Sequence, residues 1–211
     1  MRILCLTCDQ YSYIVPFFVQ FLKKKWPACP WPVRIITDTK PIPDVTEQVL
    51  MMRSGRHFSN RLINYMDIHG FEDEHILVML EDYIIRTVDH RVVTKAYQWM
   101  REDSNIGMIR LYPKPGPTKP CGEDPDIGEI DRADLYVASL QASMWRSEIF
   151  RAILGPAEDP WVTEEAGSWR ARHMPENVRF LCTYKEAIDY HNYCSKGVLD
   201  VEVTKWIQAN Q

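Results

Sequence analysis

The sequence predicts an α/β fold, with a mostly parallel central sheet flanked by helices. From residue 2 to residue 111, apolar runs of strand length alternate with segments whose apolar residues recur at helical spacing. The strongest run, His75–Leu80, is almost continuously apolar, which is typical of a strand covered on both faces. This alternation favours parallel strands joined by helices, and such sheets bind ligands at the carboxyl ends of their strands.

The first half of the chain gives the clearest elements. Residues 2–7 predict a buried strand, and residues 13–26 predict a helix that ends in three lysines, where cations suit the helix dipole. Prolines then end the helix, and the β-branched run Val33–Thr37 completes a βαβ unit. The other predicted elements of this half are a weak strand over 46–52, a helix over 58–68, a helix from an Asp89 cap to about 102 and a strand over 106–111.

The second half is less regular. Prolines and glycines crowd residues 113–122 and acidic residues follow them, so 112–131 predicts a long loop of the kind that is functional or disordered. The predicted elements beyond it are a strand over 136–140, a short helix over 145–154, a loop and helix over 160–172, a last strand over 178–183 and a tail over 198–211 without a clear period. We expect one domain over residues 1–211.

Composition excludes several classes of protein. Of the 211 residues, 45% are hydrophobic, which is enough for a core and argues against disorder. The net charge of −4 argues against a protein whose whole surface binds nucleic acid or an anionic membrane. Neither a membrane span nor a signal peptide is visible, so we expect a cytoplasmic protein with reduced thiols. Cys5 and Cys8 are therefore interpreted as core cysteines and not as a redox or zinc motif.

Two carboxylates directly follow the central strand. Glu81 and Asp82 would be repelled from the core unless a cation compensates them. A divalent metal that bridges diphosphate oxygens is the usual compensator, because Mg²⁺ takes one or two carboxylates and completes its shell with phosphate and water. The alternative is that the strand simply ends in solvent.

Three further segments carry polar groups that suit a binding site. Glu164 lies near Trp161 and could accept a proton from a hydroxyl, or could belong to an ordinary helix start. Small polar residues and Gln141 could line a sugar pocket, or could satisfy a strand-to-helix turn. His191, followed by Lys196, could bind a metal or phosphate, although most lone histidines do neither.

The order of these motifs resembles a family of small bacterial and phage glycosyltransferases. The likeness covers about residues 1–197. Its most specific pieces are the strand that ends in Glu81-Asp82, the Ser-Leu-Gln-x-x-x-Trp segment that begins at Ser139, and the Pro-Trp-x-x-Glu-x-x-Gly-Ser segment that begins at Pro160. The resemblance implies a single GT-A-like, Rossmann-like domain of the nucleotide-diphosphosugar-transferase type. Its nucleotide-sugar half would cover about 1–111, its acceptor half about 112–197, and its tail 198–211.

The resemblance also implies a role for individual residues. Asp82, together with Glu81, would hold Mn²⁺ or Mg²⁺ against the donor diphosphate and so assist its departure. Glu164 would act as the general base on the acceptor hydroxyl. The remaining implied contacts are those of Asp9 and Asp38 with the nucleotide, Arg61 with its phosphates, Gln141 and Trp145 with the sugar or acceptor, and His191 and Lys196 with the diphosphate.

We therefore expect a metal-dependent glycosyltransferase. Its donor would be a nucleotide-diphosphate sugar, with a UDP-sugar as the first candidate. The acceptor would be an envelope polysaccharide or, if the chain is phage-encoded, 5-hydroxymethylpyrimidine in DNA. A DNA acceptor would need a basic strip, for which the candidates are Arg53, Arg56, Arg170, Arg172, Lys114 and Lys119. The alternatives are a non-catalytic nucleotide- or sugar-binding module and a nucleotidyltransferase, although residues 8–11 lack the glycines of its phosphate loop. The sequence predicts no oligomeric state.

Overall fold

The computed structural model describes residues 1–53, 55, 57–69 and 74–211. Its strands are β1 Arg2–Leu6, β2 Val33–Thr37, β3 Gln48–Met51, β4 His75–Leu80, β5 Tyr83–Val88, β6 Ile106–Arg110, β7 Lys119–Pro120, β8 Ile127–Glu129, β9 Ser143–Arg146, β10 Arg179–Thr183, β11 Ile188–Asn192, β12 Cys194–Ser195 and β13 Val198–Leu199. Its helices are α1 Val15–Lys25, α2 Phe58–His69, α3 His90–Glu102, α4 Ser147–Ile153, α5 Pro160–Arg172 and α6 Val201–Asn210, and a 3-10 turn at Ser12–Ile14 precedes α1.

The central sheet has the order β3-β2-β1-β4-β9-β6-β10-β8-β7. Strands β3, β2, β1 and β4 are parallel neighbours, and β6 and β10 are parallel as well. Strand β9 lies antiparallel between β4 and β6. The predicted α/β class with a mostly parallel sheet is confirmed, and the reversed strand near its centre is an addition that the sequence did not indicate.

Helices cover both faces of the sheet, which explains the continuous apolar strands. In β1, Ile3 and Cys5 face one core cluster, whereas Leu4 and Leu6 face the other. Successive side chains of a strand point to opposite faces, so a strand between two layers has to be apolar at every position. Cys5 is fully buried, and desolvation raises the pKa of its thiol, so the prediction of a core cysteine is confirmed there.

A third apolar cluster holds the C-terminal segment. Helix α6 places Val203 and Ile207 against Phe21 of α1 and Ile84 of β5. Asp200 caps the helix by accepting hydrogen bonds from the backbone of residues 202 and 203. The tail over 198–211, in which the sequence shows no clear period, therefore contains a helix, because two buried positions and a capping aspartate suffice when an existing surface supplies the apolar contacts.

Several other boundaries differ from the sequence-based expectation. Residues 136–140 form a loop, and the strand comes later, at Ser143–Arg146, so Trp145 lies in β9 and not in a helix. Strand β10 is followed by β11, β12 and β13 and is not the last. The sequence did not indicate strand β5, because the two carboxylates that precede it are typical of the point where a strand ends in solvent. The cap at Asp89 is confirmed by a 3.1 Å hydrogen bond from the amide of Val92.

The loop over 112–131 is held against α3 by ion pairs. Lys95 lies 2.9 Å from Asp124 and 2.5 Å from Asp126, and Arg91 lies 2.6 Å from Asp126. Short strands β7 and β8 add this segment to the edge of the sheet. The acidic cluster therefore anchors the loop. None of the described helices combines the length and apolarity needed to cross a bilayer.

Candidate functional site

A cavity of about 400 Å³ opens at the carboxyl ends of β1 and β4. Helix α2, the N-terminus of α5 and the β12–β13 hairpin form its other walls. This is the edge at which open α/β sheets bind ligands, and the volume is in the range of small-molecule sites. The predicted site residues that line the cavity are Arg61, Glu81, Asp82, Gln141, Glu164 and Lys196.

Glu81 and Asp82 form the acidic floor of this cavity. Glu81 is only 8% exposed; desolvation, reinforced by the negative charge of Asp82, raises its pKa to about 8. Desolvation raises the pKa of Asp82 to about 6. The amide of Glu81 donates to Leu6 on β1, and the carbonyl of Asp82 accepts from Tyr193 next to the hairpin, so the backbone fixes both residues. A buried and a half-buried carboxylate side by side form a site that favours a cation.

The donor set fits a hard divalent ion that shares its shell with a substrate. Among the described residues, no three His, Cys, Asp or Glu side chains come together as a complete metal site. Two carboxylates are what Mg²⁺ or Mn²⁺ takes from a protein when phosphate oxygens and water supply the remaining ligands. The site is therefore suited to a metal that arrives together with a diphosphate, and not to a metal held by the protein alone.

Arg61 supplies a buried positive charge on the same cavity. It lies on α2 and is 5% exposed. Burial and the charge of Asp82 raise the pKa of Glu81, and the positive charge of Arg61 offsets a smaller part of this increase. Its Nη1 atom is buried without a hydrogen-bond partner among the described residues. A buried guanidinium nitrogen without a partner is costly, so an anionic group in the cavity would stabilise it.

Glu164 is placed by the N-terminus of α5. Asp159 caps this helix through a 2.9 Å hydrogen bond from the amide of Val162. The Oε1 atom of Glu164 then accepts hydrogen bonds from the amide of Leu140, at 2.7 Å, and from the hydroxyl of Ser139, at 3.1 Å. Neither bond uses Oε2. The carboxylate is thus fixed at the cavity wall by one oxygen, and the other remains available to a ligand.

Gln141 and a stack of tyrosines form a further part of the wall. The Oη atom of Tyr190 donates a short hydrogen bond to Oε1 of Gln141. Tyr190 lies between two other rings, with centroids 4.2 Å from Tyr83 and 4.4 Å from Tyr112. This stack fixes the position of the glutamine. Sequence analysis did not single out Tyr190, because its contact partners come from distant parts of the chain.

The β12–β13 hairpin closes one side of the cavity. Lys196 and Gly197 lie at its turn, both with positive φ, and both line the cavity. A Cβ atom on Gly197 would lie only 3.3 Å from the Oη atom of Tyr11, so the close approach favours glycine. The turn therefore brings a lysine to the cavity and packs against the segment after β1.

The cavity contains residues that sequence analysis did not assign to a site. Cys8 is partly exposed and lines the cavity, so its interpretation as a core cysteine is wrong. His57 and Trp161 line it as well. Trp161 could have been included, because it lies one helical turn before Glu164, whereas Cys8 and His57 become neighbours only through the fold.

Two predicted contact residues lie elsewhere. Trp145 is 1% exposed and packs in the core of β9, 5.3 Å from Phe150, so its predicted role in a sugar pocket is not supported. Strand β9 is buried on both sides, which leaves no path from this indole to the cavity. His191 lies on β11, where its ring packs against Trp206 at 5.0 Å and not against the cavity.

Asp9 and Asp38 follow β1 and β2 but do not line the cavity. Although partial burial acts in the opposite direction, hydrogen bonds from Thr39 and from the amide of Lys40 lower the pKa of Asp9. Asp9 therefore connects the loops that follow the two strands. The Oδ1 atom of Asp38 is buried without a hydrogen-bond partner in the described part of the chain.

Four of the six basic residues proposed for a DNA strip make local contacts. Arg170 lies 2.8 Å from Glu158, and Arg172 donates to the carbonyl of Asp134 at 2.7 Å. Lys114 donates to the hydroxyl of Tyr112 at 3.3 Å. Lys119 lies 3.7 Å from Asp131, Arg53 is exposed, and Arg56 lies outside the described residues.

Comparisons with known proteins identify the fold. No family model matches the sequence, and no curated protein matches it. Among solved structures, the fragment 1–349 of S. aureus TarS is similar with a TM-score of 0.57 at 14% identity, over 90% of this chain and 59% of that one. This chain thus spans less than two thirds of the TarS fragment.

Two other solved structures match along nearly their whole length. UDP-glucose pyrophosphorylase in complex with UDP-glucose is similar with a TM-score of 0.54 at 14% identity, over 99% of this chain and 97% of that one. CMP:2-keto-3-deoxy-manno-octonic acid synthetase with CTP gives a TM-score of 0.50 at 12% identity, over the same shares of the two chains. The chain has the GT-A-like fold of nucleotide-diphospho-sugar transferases, as the resemblance of its motifs implied.

Proposed function

We propose that this protein is a metal-dependent glycosyltransferase, which moves a sugar from a nucleotide-diphosphate sugar to an acceptor hydroxyl. The observation that carries the proposal is the combination within one cavity of the adjacent carboxylates of buried Glu81 and half-buried Asp82, a buried arginine and a separately fixed glutamate. Neutralisation of a diphosphate needs the first two groups, and activation of a hydroxyl needs the last.

The donor side of the reaction belongs to Asp82, Glu81, Arg61 and Lys196. A divalent ion bound by Asp82 and Glu81 would supply positive charge to the diphosphate as its bond to the sugar breaks. The guanidinium of Arg61 and the ammonium of Lys196 would donate to phosphate oxygens from two further walls of the cavity. Asp38 lies beyond β2, its Oδ1 atom has no hydrogen-bond partner among the residues that the structure describes, and it is our candidate for a contact to the nucleoside.

The acceptor side belongs to Glu164. Because Oε1 is held by Leu140 and Ser139, Oε2 can accept the proton of an acceptor hydroxyl while that oxygen attacks the anomeric carbon. Gln141, fixed by Tyr190, would bind sugar hydroxyls beside it.

A nucleotidyltransferase is the main alternative, since two of the similar structures belong to enzymes that form nucleotide sugars. Such an enzyme holds a nucleoside triphosphate, and phosphate-binding loops require glycines whose amides approach the phosphates. The turn after β1 consists of Cys8, Asp9, Gln10 and Tyr11 and contains none. This turn favours the glycosyltransferase.

The test is incubation with UDP-, GDP-, TDP- and CMP-sugars in the presence of Mn²⁺, followed by measurement of released nucleotide. We expect release from at least one donor, and loss of release in Asp82→Asn, whereas Asp67→Asn, which changes an exposed carboxylate on α2, should behave as wild type. Release of pyrophosphate from a nucleoside triphosphate and a sugar phosphate, with no turnover of nucleotide sugars, would contradict the proposal and indicate a nucleotidyltransferase.

A further inference from the structure

Helix α5 carries an exposed aromatic face that leads away from the cavity. Trp161 is 59% exposed and Trp169 is 60% exposed, and Glu165 lies between them in the helix and is exposed as well. Residues four positions apart lie on the same side of a helix, so the three side chains follow one another along α5. Large exposed apolar side chains that form a row mark a binding surface more often than scattered ones do.

This row is continuous with the candidate active site. Trp161 lines the cavity and begins the row, and Glu164, the proposed base, lies on the next turn of the same helix. Trp169 lies about 12 Å further along the axis, which is longer than one sugar ring. A molecule bound to both indoles would therefore have several units and would end at Glu164.

The second indole is held in place. The ring of His173 packs on Trp169 with a centroid distance of 4.2 Å, and Nδ1 of His173 lies 2.7 Å from the carbonyl of Trp169. A platform that is already ordered loses little conformational entropy when a ligand binds to it. This contact distinguishes Trp169 from an exposed side chain without a neighbour.

The charges around the row favour an uncharged ligand. Arg170 pairs with Glu158, which compensates its charge, whereas Arg172 donates to the backbone carbonyl of Asp134 and keeps its charge at the C-terminal end of α5, beyond Trp169. The exposed charge inside the row is the carboxylate of Glu165, which would repel a polyanion and accept hydrogen bonds from hydroxyls. A sugar combines an apolar ring face, which suits an indole, with hydroxyl donors, which suit a carboxylate.

We infer that the acceptor is a neutral carbohydrate chain, which lies along α5 on Trp161 and Trp169 and presents its terminal hydroxyl to Glu164. This inference rests on the proposed function and adds the class of acceptor to it. Of the two acceptors that the motifs suggested, a glycan and modified DNA, the surface of α5 fits the glycan.

Binding of neutral oligosaccharides to the whole protein tests this inference without any need for transfer. Malto-, cello- and chito-oligosaccharides of increasing length would be titrated by calorimetry. We expect that binding tightens with length in at least one series and that Trp169→Ala weakens the longer ligands by about 10-fold, the effect of one lost aromatic stacking contact, while Trp169→Phe retains most of the affinity. Tyr184→Ala, which removes an exposed aromatic outside the row, should bind as wild type.

Several outcomes would overturn the inference. These are equal affinities of wild type and Trp169→Ala, no binding of any neutral series, salt-sensitive binding of single-stranded DNA in place of glycans, and a change from dimer to monomer in Trp169→Ala, which would mark the row as a contact between two copies. Wild type that binds a donor with Mn²⁺ but no glycan would refute only this inference. Wild type that binds a glycan but no donor would refute only the proposed function.

Discussion

The floor of the cavity and its α5 side differ in burial and in charge. At the floor, Glu81 and Arg61 are buried and Asp82 is half-buried, and the described residues leave Nη1 of Arg61 without a hydrogen-bond partner. The α5 side is exposed, Arg170 on it is paired with Glu158, and its binding groups are indoles and a fixed glutamate. The floor is therefore suited to a charged ligand that binds together with a metal. The α5 side is suited to an uncharged ligand that binds from solvent.

Replacement of Asp82, a proposed metal ligand on the floor, should have the largest effect on the rate of transfer. Asp82→Asn retains an oxygen that can accept hydrogen bonds but loses the charge, so we expect transfer to fall about 10³-fold or more, since metal stabilisation of a leaving group contributes several kcal/mol. Steady-state rates at saturating Mn²⁺ measure this effect. The melting temperature without metal should not fall, because the variant removes a carboxylate that burial destabilises. Near-normal turnover of Asp82→Asn would refute the metal assignment.

Loss of the proposed base should reduce transfer without loss of the donor. In Glu164→Gln the amide oxygen can still accept from Leu140 and Ser139, so the local structure should persist. We expect a decrease in the transfer rate of about 10²-fold, typical of a lost general base, at an unchanged donor affinity. Comparison of the rate with calorimetric donor binding checks this. If donor affinity falls in parallel with the rate, Glu164 is a structural residue.

The buried carboxylates also predict how metal-free stability depends on pH. The folded-state pKa of Glu81 is about 8 and that of Asp82 about 6, against ordinary values of 4.5 and 3.8, so the folded protein binds more protons than the unfolded chain between about pH 4 and pH 8. Their contribution to stability is therefore fully present at acid pH and is lost as the pH rises through this window, by up to about 1.4 kcal/mol per pH unit for each proton.

Glu81→Gln isolates that contribution from the rest of the chain. Since the amide does not titrate, the variant should lose less stability than wild type between pH 5 and pH 8, as measured by urea unfolding at each pH. Parallel curves for the two proteins across this window would show that Glu81 is ionised throughout and that the acidic floor is not desolvated.

The smallest expected effect concerns the fixed glutamine. Tyr190→Phe keeps the ring stack with Tyr83 and Tyr112 but removes the hydroxyl that holds Gln141. A single hydrogen bond to a positioning side chain contributes about 1 kcal/mol, so we expect an increase in the donor or acceptor KM of about 5-fold with little change in kcat. An unchanged KM would mean that Gln141 does not touch either substrate.

The sequence predicts some strands of the central sheet well, and it predicts elements that pack on distant parts of the chain poorly. Strands β2 and β4 begin and end where the sequence indicates, because strands covered on both faces are mostly apolar along their whole length. Strand β9 and helix α6 were missed. Their short apolar patterns depend on surfaces supplied by distant parts of the chain, and local periodicity does not encode such surfaces.

The candidate site was predictable where a local motif carries it. Glu81, Asp82 and Glu164 stand at strand and helix ends that the sequence marks clearly, and all three line the cavity. Trp145 was assigned to the site because its motif also contains Gln141, but Gln141 lies in the loop before β9 and lines the cavity, whereas Trp145 lies within β9 and its indole is buried in the core. Tyr190 could not be recognised, since its role arises from stacking between three separate segments.

The central claim is that the acidic floor binds a metal together with a nucleotide diphosphate, and a thermal shift measurement tests it most directly. We predict that UDP or a UDP-sugar raises the melting temperature of wild type in the presence of Mn²⁺ but not in EDTA, because a ligand at about 100 times its Kd stabilises the folded state by about 2.7 kcal/mol. Asp82→Asn should show no Mn²⁺-dependent shift. An equal shift with and without Mn²⁺, or an equal shift in Asp82→Asn, would contradict the claim.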